Sequence, residues 1–270
     1  MEMAVRGKNG VPVLERAMDL LALLEKSERG ETIRELTRDL ELPRSTVYRI
    51  LNTFSAYDVV RRNGDGAFLL GARLLALAAR VPPVRTRYDL AALAMPFMQK
   101  LSEQTGEPSK LSVLDGERAL VVAAVLGSHE YSPTPAAGTS YPLHAGAASK
   151  LILAHMPAEL IDDLLAVPLK RYTPRTITEP AKLKAELGRI RRQGYARDQG
   201  EHGASVHAIA APVFEPDGRF VGALSIPFLA DKDVPTRDRL RDAVVRMAAV
   251  ISAVIPGSPT HLASPTAGKD

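Results

Sequence analysis

The sequence predicts two domains of different class: a small N-terminal one of helices and a β-hairpin, and a larger α+β one around an antiparallel sheet. Three observations predict it. Three short helical patterns before Asp58 lead directly into two apolar strands around a glycine-containing turn. A double proline, Pro82-Pro83, then interrupts the chain. Beyond it, strand pairs joined by tight turns alternate with amphipathic helices.

The first helix is read from Val13 to Lys26, where Leu14, Ala17, Met18, Leu21 and Leu24 recur at the three-and-four spacing of a buried face. Thr32-Ile33-Arg34-Glu35 is a capping-box sequence: the hydroxyl and the carboxylate each satisfy a backbone N–H left over at a helix start. A short second helix therefore runs to about Leu40. Leu42-Pro43 breaks the chain, because proline disfavours helix in the residue before it and suits a first turn itself. The third helix spans roughly 43–57. Val47, Ile50, Leu51 and Phe54 face inward, leaving Arg44, Ser45, Thr46, Tyr48, Arg49 and Asn52 on or near the outward face. Strands at Val59–Arg62 and Ala67–Leu70 flank Asn63-Gly64-Asp65-Gly66, a turn of residues that accept positive φ. Three helices and a hairpin make a winged helix-turn-helix over residues 11–70. A helix from about Gly71 to Arg80 reaches Val81-Pro82-Pro83-Val84, so residues 71–85 read as a linker helix and a semi-rigid joint.

Residues 86–255 form the second domain. Leu90, Leu93, Ala94, Phe97, Met98 and Leu101 mark a helix over 86–104, and strands near 108–115 and 118–126 meet at Asp115-Gly116. Helices follow at about 145–155, 158–166 and 180–193. Strands return at about 194–198, 205–215 and 219–227, the last two joined by Pro216-Asp217-Gly218, before a closing helix at 235–255. Residues 256–270, rich in Pro, Ser, Thr, Gly and Ala, read as a disordered tail.

Composition removes several function classes. The chain has 270 residues and no cysteine, which excludes disulfides, thiolate metal sites and a cysteine nucleophile. No run of eighteen apolar residues occurs and the first thirty residues carry scattered charges, so neither a membrane span nor a secretory signal is expected and the cytoplasm is the expected location. The net charge of +4 divides evenly: residues 1–80 hold 13 Lys/Arg against 11 Asp/Glu, and residues 85–255 hold 21 against 19. Bulk charge thus assigns no partner. Within 43–62, however, Arg44, Arg49, Arg61 and Arg62 face only Asp58, a local basic cluster of the kind a phosphate backbone attracts.

A helix-turn-helix reads DNA by presenting the N-terminal side chains of its second helix to base edges in the major groove. Arg44, Ser45, Thr46, Tyr48, Arg49 and Asn52 occupy the positions that would reach. Arginine reads guanine with two parallel hydrogen bonds, whereas hydroxyls more often fix register on phosphates. The wing arginines Arg61 and Arg62 would touch backbone or minor groove. The same pattern also suits a small helical domain with a solvated polar face.

Leu14-Glu15-Arg16-Ala17, Glu35-Leu36, Leu42-Pro43-Arg44-Ser45-Thr46-Val47-Tyr48-Arg49-Ile50-Leu51 and Phe68-Leu69-Leu70-Gly71 resemble successive signatures of the IclR family of bacterial transcription regulators. Tyr141-Pro142-Leu143-His144-Ala145 with Lys150, Tyr172-Thr173-Pro174-Arg175-Thr176-Ile177-Thr178, Gly194-Tyr195-Ala196 and Ile209-Ala210-Ala211-Pro212-Val213 follow the family order, so the resemblance covers about 11–255. It implies a GAF-like effector domain behind the DNA reader, homodimers or dimers of dimers on a pseudo-palindromic double-stranded operator, and a small organic effector, aromatic or carboxylate. A repressor is expected, with activation of a catabolic operon as the alternative. The resemblance places the effector among Ala147, Ala148, Asp198, Ala208 and Ser225. Two departures stand out: Ala208 where regulators of small oxoacids carry cysteine, and Pro227 in place of a companion serine. Both make the pocket less polar and favour a larger or more apolar ligand than glyoxylate.

Rival readings start from Asp198, Glu201, His202 and His207, which lie within ten residues. Their spacing forces no convergence, so no metal and no cofactor is expected. The sequence lacks a Gly-x-Ser-x-Gly elbow, a phosphate loop and a dinucleotide fingerprint, so no enzyme is expected either. A protein-interaction module with a wing that no longer grips DNA would share the fold.

Overall fold

The computed structural model describes residues 11–27, 29–78 and 89–256. The chain divides into two compact units, Met1–Pro83 and Val84–Asp270. The expected joint at 81–84 and the tail beyond Pro256 lie outside the described residues.

In the first unit, helix α1 (Pro12–Leu24) opens with proline in its first turn, where the missing N–H has no partner to lose. Its buried residues are Ala17, Leu20 and Leu24, while Leu14 and Met18, expected on the buried stripe, are 61% and 63% exposed. The helix is apolar over more than one face, and periodicity alone does not choose between faces. The choice is made by Leu36, Val47, Ile50, Leu51, Val60 and Phe68, which close one core with the Leu20 side. Helix α2 (Ile33–Asp39) begins with the expected capping box: the Glu35 N–H donates to Thr32 Oγ1 at 3.3 Å and the Thr32 N–H donates to Glu35 Oε2 at 2.8 Å. Helix α3 (Arg44–Ala56) follows Pro43 and buries Val47, Ile50 and Leu51. Strands β1 (Val60–Arg62) and β2 (Phe68–Leu70) pair antiparallel, with Arg61 opposite Leu69. Asn63 Oδ1 holds their turn by accepting from the N–H groups of Asp65 and Ala67. Gly71 closes the hairpin against Asp58, whose carbonyl oxygen would lie 2.1 Å from any Cβ there. Helix α4 (Ala72–Ala78) ends the described part of this unit.

The second unit is built on a six-stranded antiparallel sheet of order β5-β4-β3-β8-β7-β6. Its strands are β3 (Ser109–Asp115), β4 (Arg118–Val125), β5 (Ser140–Pro142), β6 (Ala196–Gln199), β7 (Val206–Phe214) and β8 (Phe220–Leu229). Strand β5 is not foreseen by the sequence reading. It is three residues long and ends in proline, which an edge position tolerates because no further ladder bond is needed there. Helices α5 (Leu90–Thr105) and α9 (Val234–Val254) cover one face, and α6 (Ala147–Ala154), α7 (Ala158–Leu165) and α8 (Pro180–Gln193) enclose a second core on the other.

Residue size separates the two faces. On β7, Ile209, Ala211 and Val213 point into the α5–α9 core while Ala208 and Ala210 point toward α6; on β8, Leu224, Ile226 and Phe228 oppose Ala223. This is the period-two alternation of a strand, with mostly large side chains on one face and, along the middle of both strands, small ones on the other. The alanine floor lets α6, itself buried along its whole length, lie close to the sheet. Ala210 is fully buried in that contact. Ala210→Leu is expected to destabilise the second unit by about 1–3 kcal/mol through overpacking, measured as a lowered urea midpoint of the full chain.

Candidate functional site

The first unit presents α3. With 3.6 residues per turn, Val47, Ile50 and Leu51 inside put Ser45, Arg49 and Asn52 at the centre of the opposite face, with Arg44 and Tyr48 on one flank and Thr46 on the other. Arg44, Ser45, Tyr48, Arg49 and Asn52 are exposed and Thr46 is half-buried. Among the described residues, the side chains of Arg44, Arg49 and Arg61 make no ion pair or hydrogen bond. Arg62 differs: its Nε donates to the Gly66 carbonyl at 3.0 Å and its guanidinium lies 5.7 Å from the Phe68 ring centre, so it folds back over the turn it follows. Capping, helix phase and the proline break thus deliver one unengaged polar helix face and one unengaged wing arginine.

The second unit encloses a cavity of about 220 Å³ between α6 and the sheet. Ala147, Ala148, Asp198 and Ala208 line it. Ser225 does not. It lies on the same side of β8 as Pro227, which does line the cavity, but it is fully buried with its Oγ 3.4 Å from the Lys110 carbonyl. Asp198 Oδ1 accepts from the Gly200 and Glu201 N–H groups at 2.9 and 2.7 Å, which fixes the carboxylate at the rim. The lining is chiefly apolar, with polar groups added by Lys110 and Ser112 of β3, Tyr141 of β5 and His202. Lys110 Nζ sits 4.4 Å from the Tyr141 ring centre. Burial pushes the Lys110 ammonium down to about 8, against the pull of Asp198.

Residues 13–64 match the family described as IclR helix-turn-helix domain, and residues 84–253 match Bacterial transcriptional regulator IclR C-terminal. The chain belongs to the IclR family. It is 30% identical over 248 residues to the HTH-type transcriptional repressor AllR of Klebsiella pneumoniae, covering 88% of each chain. It is 32% identical over 254 residues to the HTH-type transcriptional regulator BhcR of Paracoccus denitrificans, covering 90% of this chain and 87% of that one. The solved Thermotoga maritima IclR superimposes with a TM-score of 0.71 at 27% identity, covering 90% of this chain and 98% of that one. An IclR homologue from Microbacterium hydrocarbonoxydans, solved in complex with 4-hydroxybenzoate, gives 0.68 at 26% identity over 89% and 98%. The protein is therefore a member of a family of bacterial transcription regulators.

Behind the cavity of this IclR-family domain lies a buried charge cluster that the sequence reading did not assemble. Lys150, 1% exposed on α6, donates to Glu186 Oε1 of α8 at 3.1 Å and to Glu201 Oε1 at 2.5 Å. Burial pushes the Glu201 carboxyl up to about 7; Lys150 and the Gly146 N–H oppose the rise, and Asp198 adds to it. Burial also acts to raise Glu186, but Lys150 and Arg189 outweigh it and leave that carboxyl below its ordinary value. The Thr173–Thr176 motif braces the same loop: Thr173 Oγ1 donates to the Gly200 carbonyl at 2.7 Å and Thr176 Oγ1 to the Glu201 carbonyl at 2.6 Å. Motif residues distant in sequence thus converge on the loop that carries His202 and Gly203 to the cavity.

Asp198, Glu201, His202 and His207 are each otherwise engaged. Asp198 and Glu201 are held as described, His202 packs against the Tyr141 and Tyr172 rings at 5.2 and 4.8 Å, and His207 lies against Phe228. Among the described residues, no group of three or more such side chains is placed to hold a metal ion. No described helix is long and apolar enough to cross a membrane. His144 Nε2 lies 2.8 Å from the Lys170 carbonyl and its ring packs on Tyr172.

Lys150→Met removes the cation between two buried carboxylates and is expected to cost about 3–5 kcal/mol, read from urea denaturation. Glu201 titrates from its ordinary 4.5 when unfolded and near 7 when folded, so between those values the folded chain holds the extra proton and stability falls as pH rises. Glu201→Gln is expected to remove that part of the slope, which denaturation midpoints across the interval will show.

Proposed function

We propose that the chain binds operator DNA through α3 and the wing, and that a compact organic effector held in the α6 cavity biases that binding. The observation that carries the reading is the outward face of α3, where the side chains of Arg44, Ser45, Thr46, Tyr48, Arg49 and Asn52 make no ion pair or hydrogen bond among the described residues. Arg49 and Arg44 are the candidates for base-edge contacts, with the hydroxyls and Asn52 setting register. Arg61 reaches the backbone from the wing, and Arg62 chiefly shapes it. The chain acts as a homodimer or dimer of dimers, each subunit reading one half of a pseudo-palindromic site. Repression is the favoured direction, since the Klebsiella relative is named a repressor.

The effector reading is supported by the cavity itself and by the likeness to the homologue solved with 4-hydroxybenzoate. The ligand lies among Ala147, Ala148, Asp198 and Ala208, in contact with the α6 start. It shifts operator affinity only by as much as it prefers one arrangement of the protein over another.

A gel shift of the full chain on its own upstream intergenic DNA, over a salt series, tests the reading. Wild type is expected to give a discrete complex that weakens as salt rises, and Arg44→Ala with Arg49→Ala to abolish it in a folded protein. Arg61→Ala is expected to weaken the complex about equally on all sequences and to lower the salt slope by about one. An undiminished complex in the double variant would refute the assignment of α3.

A further inference from the structure

The geometry points to Lys110 as the residue that sets the charge of the effector: its amine receives an anionic group, a carboxylate first of all, from a compact ligand in the α6 cavity. This rests on the reading of that cavity as the effector site. Two lysines on the same side of one sheet are held in opposite ways.

Lys150 is treated as a buried cation ordinarily must be, with carboxylates at 3.1 and 2.5 Å and a third charged neighbour, Arg189, sharing Glu186. Lys110 is placed on β3, hydrogen-bonded between β4 and β8, with its side chain on the small-residue face. Among the described residues no carboxylate lies within ion-pairing distance of its amine. The contact it makes is with the face of Tyr141, which attracts a cation without neutralising it. An unpaired cation in such a setting costs folding free energy. The fold keeps it at the wall of a cavity, where something entering from outside can supply the missing charge.

The neighbours define what that something is. Facing Lys110 are Asp198 from β6, Tyr141 from β5 and His202 from the 200–205 loop, with Ser112 on its own strand. Asp198 is the sole carboxylate among them, and its Oδ1 already accepts two backbone N–H groups. Tyr141 is held above its ordinary value by burial and stays a neutral phenol. A neutral or cationic ligand would leave Lys110 with only the more distant Asp198 as counter-charge, whereas a monocarboxylate supplies one at ion-pairing distance. Size is limited too, since about 220 Å³ is the space of roughly seven water molecules. The carboxylate enters at the β3 end, and the apolar remainder lies along Ala119, Ala208 and Pro227.

Calorimetry on the full chain with propionate, benzoate and 4-hydroxybenzoate, each beside its amide, tests the inference against Lys110→Met and Lys110→Arg. An acid is expected to bind wild type at least about ten-fold more tightly than its amide, Lys110→Met to lose about ten- to a hundred-fold in acid affinity, and Lys110→Arg to keep most of it. Acid affinity should hold at neutral pH and fall above about 8 as Lys110 loses its proton, a fall absent in Lys110→Arg. Thermal melts give a reading independent of any ligand: removal of an unpaired charge should leave unliganded Lys110→Met as stable as wild type or more so. A less stable Lys110→Met would mark the lysine as structural and overturn the inference. Equal binding of acids and amides, or acid binding untouched in Lys110→Met, would overturn it while leaving the effector site standing. A cavity that takes neither acids nor amides would remove the effector reading and this inference with it.

Discussion

Strands β7 and β8 cannot pack alike on both faces, because along their middle one face carries Ile209, Val213, Leu224, Ile226 and Phe228 and the other carries Ala208, Ala210, Ala223, Ser225 and Pro227. The large side chains fill the space under α5 and α9. The small ones make the floor on which α6, buried along its whole length, packs. A short helix pressed against alanines leaves a gap wherever its first turn stops and the neighbouring loops begin. The cavity is that gap, and its position follows from side-chain size before any polar group is considered.

Polar groups then divide into those that hold the wall and those that face the space. Lys150, Glu186 and Glu201 tie α6, α8 and the 200–205 loop together from behind, and Thr173 with Thr176 ties the same loop from the side. A rim fixed at several points keeps Asp198 and His202 in register with the floor, which is the condition for discriminating ligands by shape and charge. The first unit works by the same economy. The capping box and Pro43 spend local hydrogen bonding and sterics on fixing where α3 starts, and the inward stripe then dictates which residues look outward.

The sequence made most of this legible where a single local rule decides the outcome. The Thr32–Glu35 capping box, the Asn63–Gly66 turn and the inward stripe of α3 each follow from spacing, and each is found where spacing puts it. It failed where two answers were equally periodic, as in α1, whose apolar residues mark out two stripes and whose buried one is chosen by partners far along the chain. Strand β5 was hidden for another reason: three residues ending in proline carry no alternation to detect. In the cavity, the alanines and Asp198 were readable by resemblance, but Lys110 was not. Nothing in Ser109-Lys110-Leu111-Ser112 distinguishes a lysine facing solvent from one facing a cavity until β4 and β8 enclose its strand. Ser225 shows the converse, a residue on the correct side of its strand but buried one step away from the space.

The two ends of the six-stranded sheet also have a bearing on whether other strands can add to it. An open sheet exposes a row of unpaired backbone groups at each edge, a template on which another chain can add itself. Here one edge is the three-residue β5, closed by Pro142, and the other is the four-residue β6, with Arg197 and Asp198 in its middle. Neither offers the long, uncharged ladder that runaway strand addition requires. Strand addition at either end is thereby disfavoured, since an incoming chain would meet only three or four ladder positions, one set closed by proline and the other carrying charge.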